Sequence, residues 1–497
     1  MVASSSSPGR EAMQLLQAGR HAEALPIIER AVAGATVCLP AHGLLAIILS
    51  RLKRRRDADA IIEAAMKLKA GVADAYDALA FASMGLGRHE RASELYRRAA
   101  ELAPGTSRFW YNLAACERGL GRLQEAEAAS DRAIAADNSD FSSYLLRSEL
   151  RVQTSAFNHV DELTALLAAA GEDVRAQMLI GYALAKELDD LGRFDAAFHW
   201  FSTAARARRS RLAYDVAVDE RKMRRIREAF AGPLASGTTA TEDASRVSAQ
   251  EIDSSRFIFI IGLPRSGTTL VERILTGLPG VRSNGETDHF SNALFGAAPG
   301  EGGDIFARAS LADPREVARR YAELAGNGAA REFIIEKLPM NYLYVGAILR
   351  ALPAAKILSV RRSPLDSCFA MYRTLFAEAY PFSYDFNDLA RYFAAYEDLM
   401  RHWRTLAGER LHEVVYERLV ADPATEAAAI AQYCGLEWTP AALAIQSNTA
   451  VSLTASASQV RRPIYGTSSG RWRHYRAHLG ALISALRACG VALPDDA

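Results

Sequence analysis

A loop rich in glycine, serine and threonine follows an apolar segment near the middle of the chain. Residues 257–275 read FIFIIGLPRSGTTLVERIL, which is an apolar run, a short polar turn and an amphipathic stretch. Gly262 and Gly267 have the spacing of a GxxxxGK[ST] phosphate-binding loop, but Thr268 stands where such loops carry lysine. A strand, a tight loop and a helix still place amide groups at the positive end of the helix, where anions bind. The pattern therefore predicts a phosphate site.

Other groups in this loop can replace the missing lysine. The guanidinium of Arg265 offers a planar fork that holds phosphate without Mg²⁺. The predicted phosphate-binding residues are Arg265, Ser266, Gly267, Thr268, Thr269 and Leu270. The absent lysine and the ill-defined metal ligand disfavour ordinary nucleotide kinase chemistry. The alternative is a strand–turn–helix connection in which serine and threonine only cap the helix.

Five later segments carry polar residues beside predicted strands and turns. They read VRSNGETDHF, IIEKLPMN, AKILSVRRSPLDSCFAMYR, VVYERLVADP and TASASQVRRPIYGTSSGRW. Together with PRSGTTL they resemble the sulfotransferases, most of all the tyrosylprotein sulfotransferases and the bacterial proteins that join tetratricopeptide repeats to such a domain. The resemblance covers about residues 250–490. It implies that the loop grips the 5′-phosphosulfate of 3′-phosphoadenylyl sulfate and that no metal is needed.

The resemblance also implies catalytic roles for Arg265, Glu286 and Lys337. Glu286 lies 21 residues after Arg265, where the tyrosylprotein enzymes place a glutamate that acts as general base. Lys337 matches a lysine that contacts the transferring group, and a cation there stabilises developing negative charge. His289 is the alternative base, because other sulfotransferases use histidine. Glu336 offers the alternative that Lys337 only forms a surface ion pair.

A second phosphate site is expected in AKILSVRRSPLDSCFAMYR. This segment resembles the family motif R-x-P-x-D, with a serine eight residues after the arginine, that binds the 3′-phosphate. Arg362 and Asp366 match this motif, and Ser363 lies between them, but Ala370 stands in place of the serine. The residues that could replace the missing hydrogen bond are Ser363, Ser367 and Arg361.

Two further segments supply the remaining candidate nucleotide contacts. VVYERLVADP resembles the strand and helix start near the nucleotide and contributes Tyr416, for which a buried core position is the alternative. TASASQVRRPIYGTSSGRW resembles the loop that closes over the cofactor. It contributes Ser456 and Arg471, the latter directly before a tryptophan as in the family.

The elements that must position these residues differ between the two halves of the chain. Alanine recurs every 34 residues at Ala24, Ala58, Ala92 and Ala126, and again twelve residues before and seven after each of them. Small residues at fixed spacing are expected where paired helices cross closely, and the pattern resembles the tetratricopeptide repeat. Such solenoids bind peptides or partner proteins on a concave surface.

From about residue 254 the pattern changes to alternating strands and helices. RFIFIIGL, FIIEKL, AKILSVRR and HEVVYERL read as buried strands, which predicts a parallel sheet. The predicted fold is therefore an all-α tetratricopeptide solenoid over residues 1–230 and a linker over 231–250. A P-loop-like α/β sulfotransferase domain follows over residues 251–497.

Composition narrows the setting in which the protein works. Of the 497 residues, 50% are hydrophobic and 24% charged, and the net charge of +1 gives no general case for nucleic acid or membrane surfaces. The apolar runs are shorter than the ~20 residues of a membrane helix, and MVASSSSPGREAM lacks a signal-peptide core. The five cysteines lack metal-ligand spacing and favour buried thiols in a reducing compartment. These features predict a cytoplasmic protein with no membrane span and no nucleic-acid partner.

The predicted function is transfer of a sulfuryl group from 3′-phosphoadenylyl sulfate to a hydroxyl group. The acceptor is expected to be a protein tyrosine or another macromolecular or phenolic hydroxyl, held with help from the repeats. One alternative is a tetratricopeptide interaction protein with a catalytically weak nucleotide-binding domain. The other is a P-loop phosphotransferase, which requires ATP and Mg²⁺.

Overall fold

The computed structural model describes residues 7–34, 39–52, 54–68, 71–232, 252–300, 305–326, 332–448, 450–451 and 458–496. The chain separates into two compact units. The first consists of residues 1–191 with 449–453, and the second of residues 192–448 with 454–497. Among the described residues, no helix combines the length and apolar character needed to cross a bilayer.

The first unit is built from helices. They are α1 (Ser7–Gln17), α2 (His21–Gly34), α3 (Leu39–Arg51), α4 (Arg55–Lys67), α5 (Ala73–Gly85), α6 (His89–Leu102), α7 (Ser107–Leu120), α8 (Leu123–Ala136), α9 (Phe141–Glu149), α10 (Val160–Ala170) and α11 (Val174–Asp190). The first eight pack in consecutive pairs, and α9 packs on α11. The recurring alanines Ala24, Ala58, Ala92 and Ala126 are all fully buried, because only a small side chain fits where paired helices cross. The predicted repeat solenoid is confirmed.

Glycines end several of these helices at the same 34-residue spacing as the alanines. Gly87 and Gly121 adopt φ values of 75° and 83°, a left-handed conformation that glycine reaches at little cost. At the same spacing, 34 residues before Gly87, the sequence has Lys53, which lies outside the described residues.

The second unit contains a five-stranded sheet with helices connecting its strands. Its strands are β1 (Phe257–Gly262), β2 (Val281–Ser283), β3 (Phe333–Lys337), β4 (Lys356–Arg361) and β5 (Leu411–Val415). All neighbours pair in parallel, in the order β2-β3-β1-β4-β5. Every residue of β1 is buried, as its apolar sequence predicts. The predicted parallel sheet is confirmed, and its carboxyl ends meet at one edge.

The helices of the second unit surround this sheet and extend beyond it. They are α12 (Phe194–Arg209), α13 (Val216–Ala229), α14 (Thr268–Leu275), α15 (His289–Ala297), α16 (Ile305–Ser310), α17 (Pro314–Ala325), α18 (Val345–Ala351), α19 (Pro364–Tyr372), α20 (Phe386–Ala407), α21 (Tyr416–Ala421), α22 (Pro423–Cys434) and α23 (Gly480–Ala488).

The strand predicted in HEVVYERL is shorter than expected. Strand β5 ends at Val415, and helix α21 begins at Tyr416. Tyr416 and Leu419 are both buried, and their spacing of three is that of one helix face. The spacing of the apolar residues thus changes within HEVVYERL from that of a strand to that of a helix, so the strand ends earlier than predicted.

Helix α12 belongs to the second unit, although it continues the helical pattern of the repeats. The Phe194 ring stacks on His474 at 4.5 Å between centroids, and Phe198 stacks on His478 at 4.6 Å. These aromatic contacts join α12 to the C-terminal part of the chain. The domain limits of 230 and 251 remain predictions, since residues 233–251 lie outside the described part.

The described cysteines carry free thiols. Cys116, Cys368 and Cys434 are buried and Cys489 is partly buried, whereas Cys38 lies outside the described residues. Burial raises the pKa of the Cys116 thiol to about 12, which keeps it protonated and unreactive at neutral pH.

Candidate active site

The loop between β1 and α14 takes a conformation that requires its two glycines. A Cβ atom at Gly262 would lie 2.6 Å from the Val360 carbonyl oxygen, and one at Gly267 would lie 2.5 Å from the Tyr416 ring. Gly267 also has a φ of 107°, outside the range of ordinary side chains. Arg265 adopts a positive φ of 65°, which is uncommon for a residue with a Cβ. The loop is therefore a tight turn held against β4 and α21.

Helix α14 starts directly after this turn. The Gly267 carbonyl accepts hydrogen bonds from the amides of Leu270 (2.9 Å) and Val271 (3.2 Å), which closes the first helical turn. The first amides of a helix have no acceptor within it, and they carry its positive dipole end. Thr268 and Thr269 lie in this turn, where such amides favour an anion.

The loop opens onto a cleft whose empty volume, including its solvent-open part, is about 1060 Å³. The sequence-predicted residues that line it are Arg265, Gly267, Thr268, Thr269, Leu270, Glu286, Arg362 and Tyr416. Those described but outside the lining are Ser266, Lys337, Ser363 and Arg471, while Ser456 lies outside the described residues. Most of the predicted site thus converges at the carboxyl edge of the sheet.

The predicted general base, Glu286, and the lysine predicted to contact the transferring group, Lys337, are in direct contact. Lys337, at the end of β3, is fully buried, and its Nζ donates to Glu286 Oε1 at 2.5 Å. The Glu286 side chain is 36% exposed and faces the cleft. Glu272 of α14 contributes a second carboxylate, with Oε2 3.6 Å from the same Nζ.

Glu272 is a site residue that the sequence reasoning missed. It is four residues after Thr268, so both lie on one face of α14. The spacing alone could have indicated it, because Thr268 belongs to the phosphate loop. In the sequence, however, it reads as an ordinary polar residue of an amphipathic helix.

The neighbouring Glu336 points away from this pair. It is fully buried, and its Oε1 accepts hydrogen bonds from Asn341 Nδ2 (2.9 Å) and the Phe290 amide (3.4 Å). Burial raises the pKa of its carboxyl group to about 7, against the opposing effect of these bonds. Successive strand residues face opposite sides of a sheet, so Glu336 is no partner for Lys337. The alternative of a Glu336–Lys337 surface pair is wrong.

Arg362 joins the loop to the C-terminal part of the unit. Its guanidinium donates to the carbonyls of Arg265 (3.0 Å) and Ser468, and it lies 4.8 Å from the centre of the Tyr416 ring. Asp366 sits 3.8 Å from the same guanidinium and accepts from the Gly470 amide at 2.7 Å. The R-x-P-x-D motif therefore holds the segment before Arg471 against the phosphate loop.

Ser367 and Arg361, two of the three candidates to replace the missing serine, make side-chain contacts elsewhere, whereas Ser363 is bonded elsewhere only through its backbone. The Ser363 amide donates to Glu417, the Ser367 hydroxyl donates to the Arg362 carbonyl, and Arg361 lies 3.7 Å from Glu413. None of the three is among the described residues lining the cleft. Ala370 does line it, as does Arg373 at nearly one helical turn beyond. Arg373 is a second residue that the sequence reasoning missed.

An aromatic corner forms the wall beside Glu286. The rings of Phe376 and Tyr380 meet nearly at right angles, with 4.8 Å between centroids, and both line the cleft. Tyr380 adopts a left-handed φ of 55°. Burial and the charge of Glu286 raise the pKa of the Tyr380 hydroxyl, so it stays a neutral phenol. His289, the alternative base, is buried at the start of α15 and is not among the described lining residues.

Comparisons with known proteins agree with this architecture. Residues 257–440 match the sequence model of the sulfotransferase family, and residues 78–141 match that of the tetratricopeptide repeat. An uncharacterized protein from Aquifex aeolicus (strain VF5) is 27% identical over 354 residues, which are 68% of this chain and 45% of that protein. The chain thus spans less than half the length of this curated relative.

Solved structures of both kinds resemble parts of the chain. The sulfotransferase domain of the Synechococcus PCC 7002 olefin synthase is 21% identical with a TM-score of 0.34, covering 48% of this chain and 95% of that domain. Pseudomonas aeruginosa pilF is 19% identical with a TM-score of 0.30, covering 40% of this chain and 88% of that protein. The likeness to tyrosylprotein enzymes remains a prediction. By its family matches, the chain contains a domain of the sulfotransferase family preceded by tetratricopeptide repeats.

Proposed function

We propose that this protein transfers a sulfuryl group from 3′-phosphoadenylyl sulfate to an acceptor hydroxyl. The observation that carries the proposal is one cleft in which an amide-rich loop and Arg265 lie together with Glu286, whose carboxylate contacts Lys337. A phosphosulfate needs the first set of groups, and proton removal from an acceptor needs the second.

The charges in the cleft suit an anionic donor. The charged residues among its described lining are Arg265, Arg362, Arg373 and Glu286, three cations against one carboxylate. The whole chain carries a net charge of only +1, so this excess is local. A nucleotide with two phosphate positions and a sulfate matches it in sign.

The reaction that fits these groups is an in-line displacement at sulfur. The acceptor oxygen forms a bond to sulfur while Glu286 takes its proton, and the bridging sulfur–oxygen bond breaks. The electron pair of that bond stays on the phosphate oxygen, which leaves adenosine 3′,5′-bisphosphate. The loop amides and the ammonium of Lys337 stabilise the negative charge that develops on the leaving side.

The acceptor side of the proposal rests on the aromatic corner and on the repeats. Phe376 and Tyr380 can pack edge to face against an aromatic ring beside Glu286, as a tyrosine or another phenol requires. The tetratricopeptide solenoid can hold a peptide or partner protein. A cytoplasmic location belongs to the same proposal and rests on free, buried cysteines.

The two alternatives predict different ligands. A P-loop phosphotransferase binds ATP with Mg²⁺, but Thr268 occupies the lysine position of its loop. An interaction protein with a weak nucleotide domain binds nucleotide without transferring sulfate. The contact between Glu286 and Lys337 favours a working site over this second alternative.

Ligand-induced stabilisation and two variants test the proposal. Adenosine 3′,5′-bisphosphate at one hundred times its Kd should stabilise the second unit by about 2.7 kcal/mol, seen as a higher melting temperature. Arg265→Ala should weaken that binding, whereas Glu286→Gln should keep it and lose about 10²–10⁴ in transfer rate. Arg319→Ala, which changes an exposed arginine of α17, is the matched control. Equal stabilisation by ATP that depends on Mg²⁺ would contradict the proposal.

A further inference from the structure

Lys337 faces two carboxylates that differ in their surroundings. Glu286 is 36% exposed and lines the cleft, whereas the Glu272 side chain is 11% exposed and is not among the described lining residues. The ammonium between them is fully buried. The Lys337 ammonium therefore lies between two carboxylates, that of Glu286, which faces the cleft, and that of Glu272, which is held within the protein.

A chain of hydrogen bonds fixes the inner carboxylate. Ser283 Oγ donates to Glu272 Oε1 at 2.5 Å, and the Gly285 amide donates to the same Oγ at 2.9 Å. The Lys337 amide donates to the Gly285 carbonyl at 3.2 Å, which returns the chain to the lysine. These bonds tie α14, the end of β2 and the end of β3 into one ring. The orientation of Glu272 is therefore set by neutral donors and does not depend on the ammonium alone.

Glu286, the carboxylate that faces the cleft, has two roles that compete, because it binds the Lys337 ammonium and is also the proposed base. Glu286 Oε1 accepts a hydrogen bond from the Lys337 ammonium at 2.5 Å, so this oxygen is occupied and cannot at the same time receive the proton of an acceptor hydroxyl. A buried ammonium, in turn, cannot leave Glu286 unless another negative group remains beside it. Glu272 is that group, at 3.6 Å.

We propose that Glu272, oriented by Ser283, is a positioning residue that retains the ammonium of Lys337 and so releases Glu286 to act as the base. The inference rests on the proposed sulfuryl transfer. An ammonium has three hydrogens to donate, so Lys337 can keep Glu272 as its counter-ion while it turns another hydrogen from Glu286 to a sulfuryl oxygen of the donor. Glu272 acts only through Lys337 and touches neither reactant.

The test measures transfer to phenols of graded acidity by the full chain. With Glu272→Gln, Lys337 has Glu286 as its remaining carboxylate, so we expect kcat on unsubstituted phenol to fall at least about tenfold. The more acidic 4-nitrophenol needs less help from a base and should recover most of the rate. The Kd of adenosine 3′,5′-bisphosphate should stay within about twofold. Glu272→Asp should restore part of the rate on phenol.

A double-mutant cycle with Glu286→Gln shows whether the effect passes through the base. Once Glu286 has lost its basicity, adding Glu272→Gln should cause no further loss on phenol. The matched control is Glu323→Gln, which alters an exposed glutamate of α17 and should leave all rates unchanged.

Three outcomes overturn the inference while leaving sulfuryl transfer intact. They are an unchanged kcat in Glu272→Gln, an equal loss on every phenol, or a full additional loss in the Glu286→Gln background. The second outcome would mean that Glu272 merely supports the fold. A wild-type protein that transfers sulfate to none of the acceptors refutes the proposed function itself, and the inference with it.

Discussion

Glu336 makes the stability of the second unit depend on pH in a direction that the structure specifies. Its carboxyl group is fully buried, and burial raises its pKa from the ordinary 4.5 to about 7. Between these two values the folded protein holds a proton that the unfolded chain releases, so stability must fall as pH rises. The contribution is complete below pH 4.5 and is lost as pH passes through 7. One pKa unit is worth about 1.4 kcal/mol, so the total loss is about 3 kcal/mol.

Glu336→Gln removes this titration and keeps the shape of the side chain. The amide oxygen can still accept from Asn341 Nδ2, which now lies 2.9 Å from the carboxyl oxygen. The variant and the wild type should therefore differ little at pH 5, and at pH 8 the variant should be more stable by up to about 3 kcal/mol.

Calorimetric melting of the full chain at pH 5, 6, 7 and 8 checks this expectation. The transition of the second unit is identified by its upward shift with adenosine 3′,5′-bisphosphate. Glu437→Gln, which alters an exposed glutamate, controls for the change in net charge. The reasoning is refuted if the difference in stability between the two proteins stays constant across this pH range, or if the variant becomes less stable relative to the wild type as pH rises.

Three further substitutions test other parts of the structure. Gly267→Ala places a Cβ 2.5 Å from the Tyr416 ring at a backbone φ of 107°. Calorimetric titration should therefore show at least about tenfold weaker binding of adenosine 3′,5′-bisphosphate. Unchanged affinity would contradict the described loop. Ala370→Ser adds a hydroxyl to the cleft lining and should tighten the same binding about two- to tenfold, the value of one hydrogen bond; weaker or equal binding would place the 3′-phosphate elsewhere. Glu187 accepts hydrogen bonds from the His159 amide at 2.6 Å and the Ser148 hydroxyl at 2.7 Å, and Glu187→Ala leaves both donors without this acceptor. The substitution should destabilise the first unit by about 2–4 kcal/mol in thermal melts, while the unfolding transition of the second unit stays in place.

Features encoded by neighbouring residues could be predicted from the sequence. The buried strand β1, the glycine loop and the start of α14 follow one another within 257–275, and each is specified by its own local pattern. The 34-residue alanine period predicted the helix pairs, because every repeat must leave the same small gap where its helices cross. The early end of β5 at Val415 was missed, since a short apolar run is compatible with either period.

Contacts between distant residues were decided by the tertiary structure. Glu286 and Lys337 are far apart in the chain and touch because β2 and β3 pair in parallel, with Ser283 opposite Ile335. A shift of that register by one residue would turn the strand side chains to the other face and separate the pair. The alternation of side chains along β3 sets Glu336 on the opposite face from Lys337, and the β2–β3 register brings Ser283 to Glu272. Residue types along the sequence could therefore indicate which groups are suited to chemistry. Strand pairing decided that Glu286 contacts Lys337, and sequence alone could not predict this because register depends on the packing of the whole sheet.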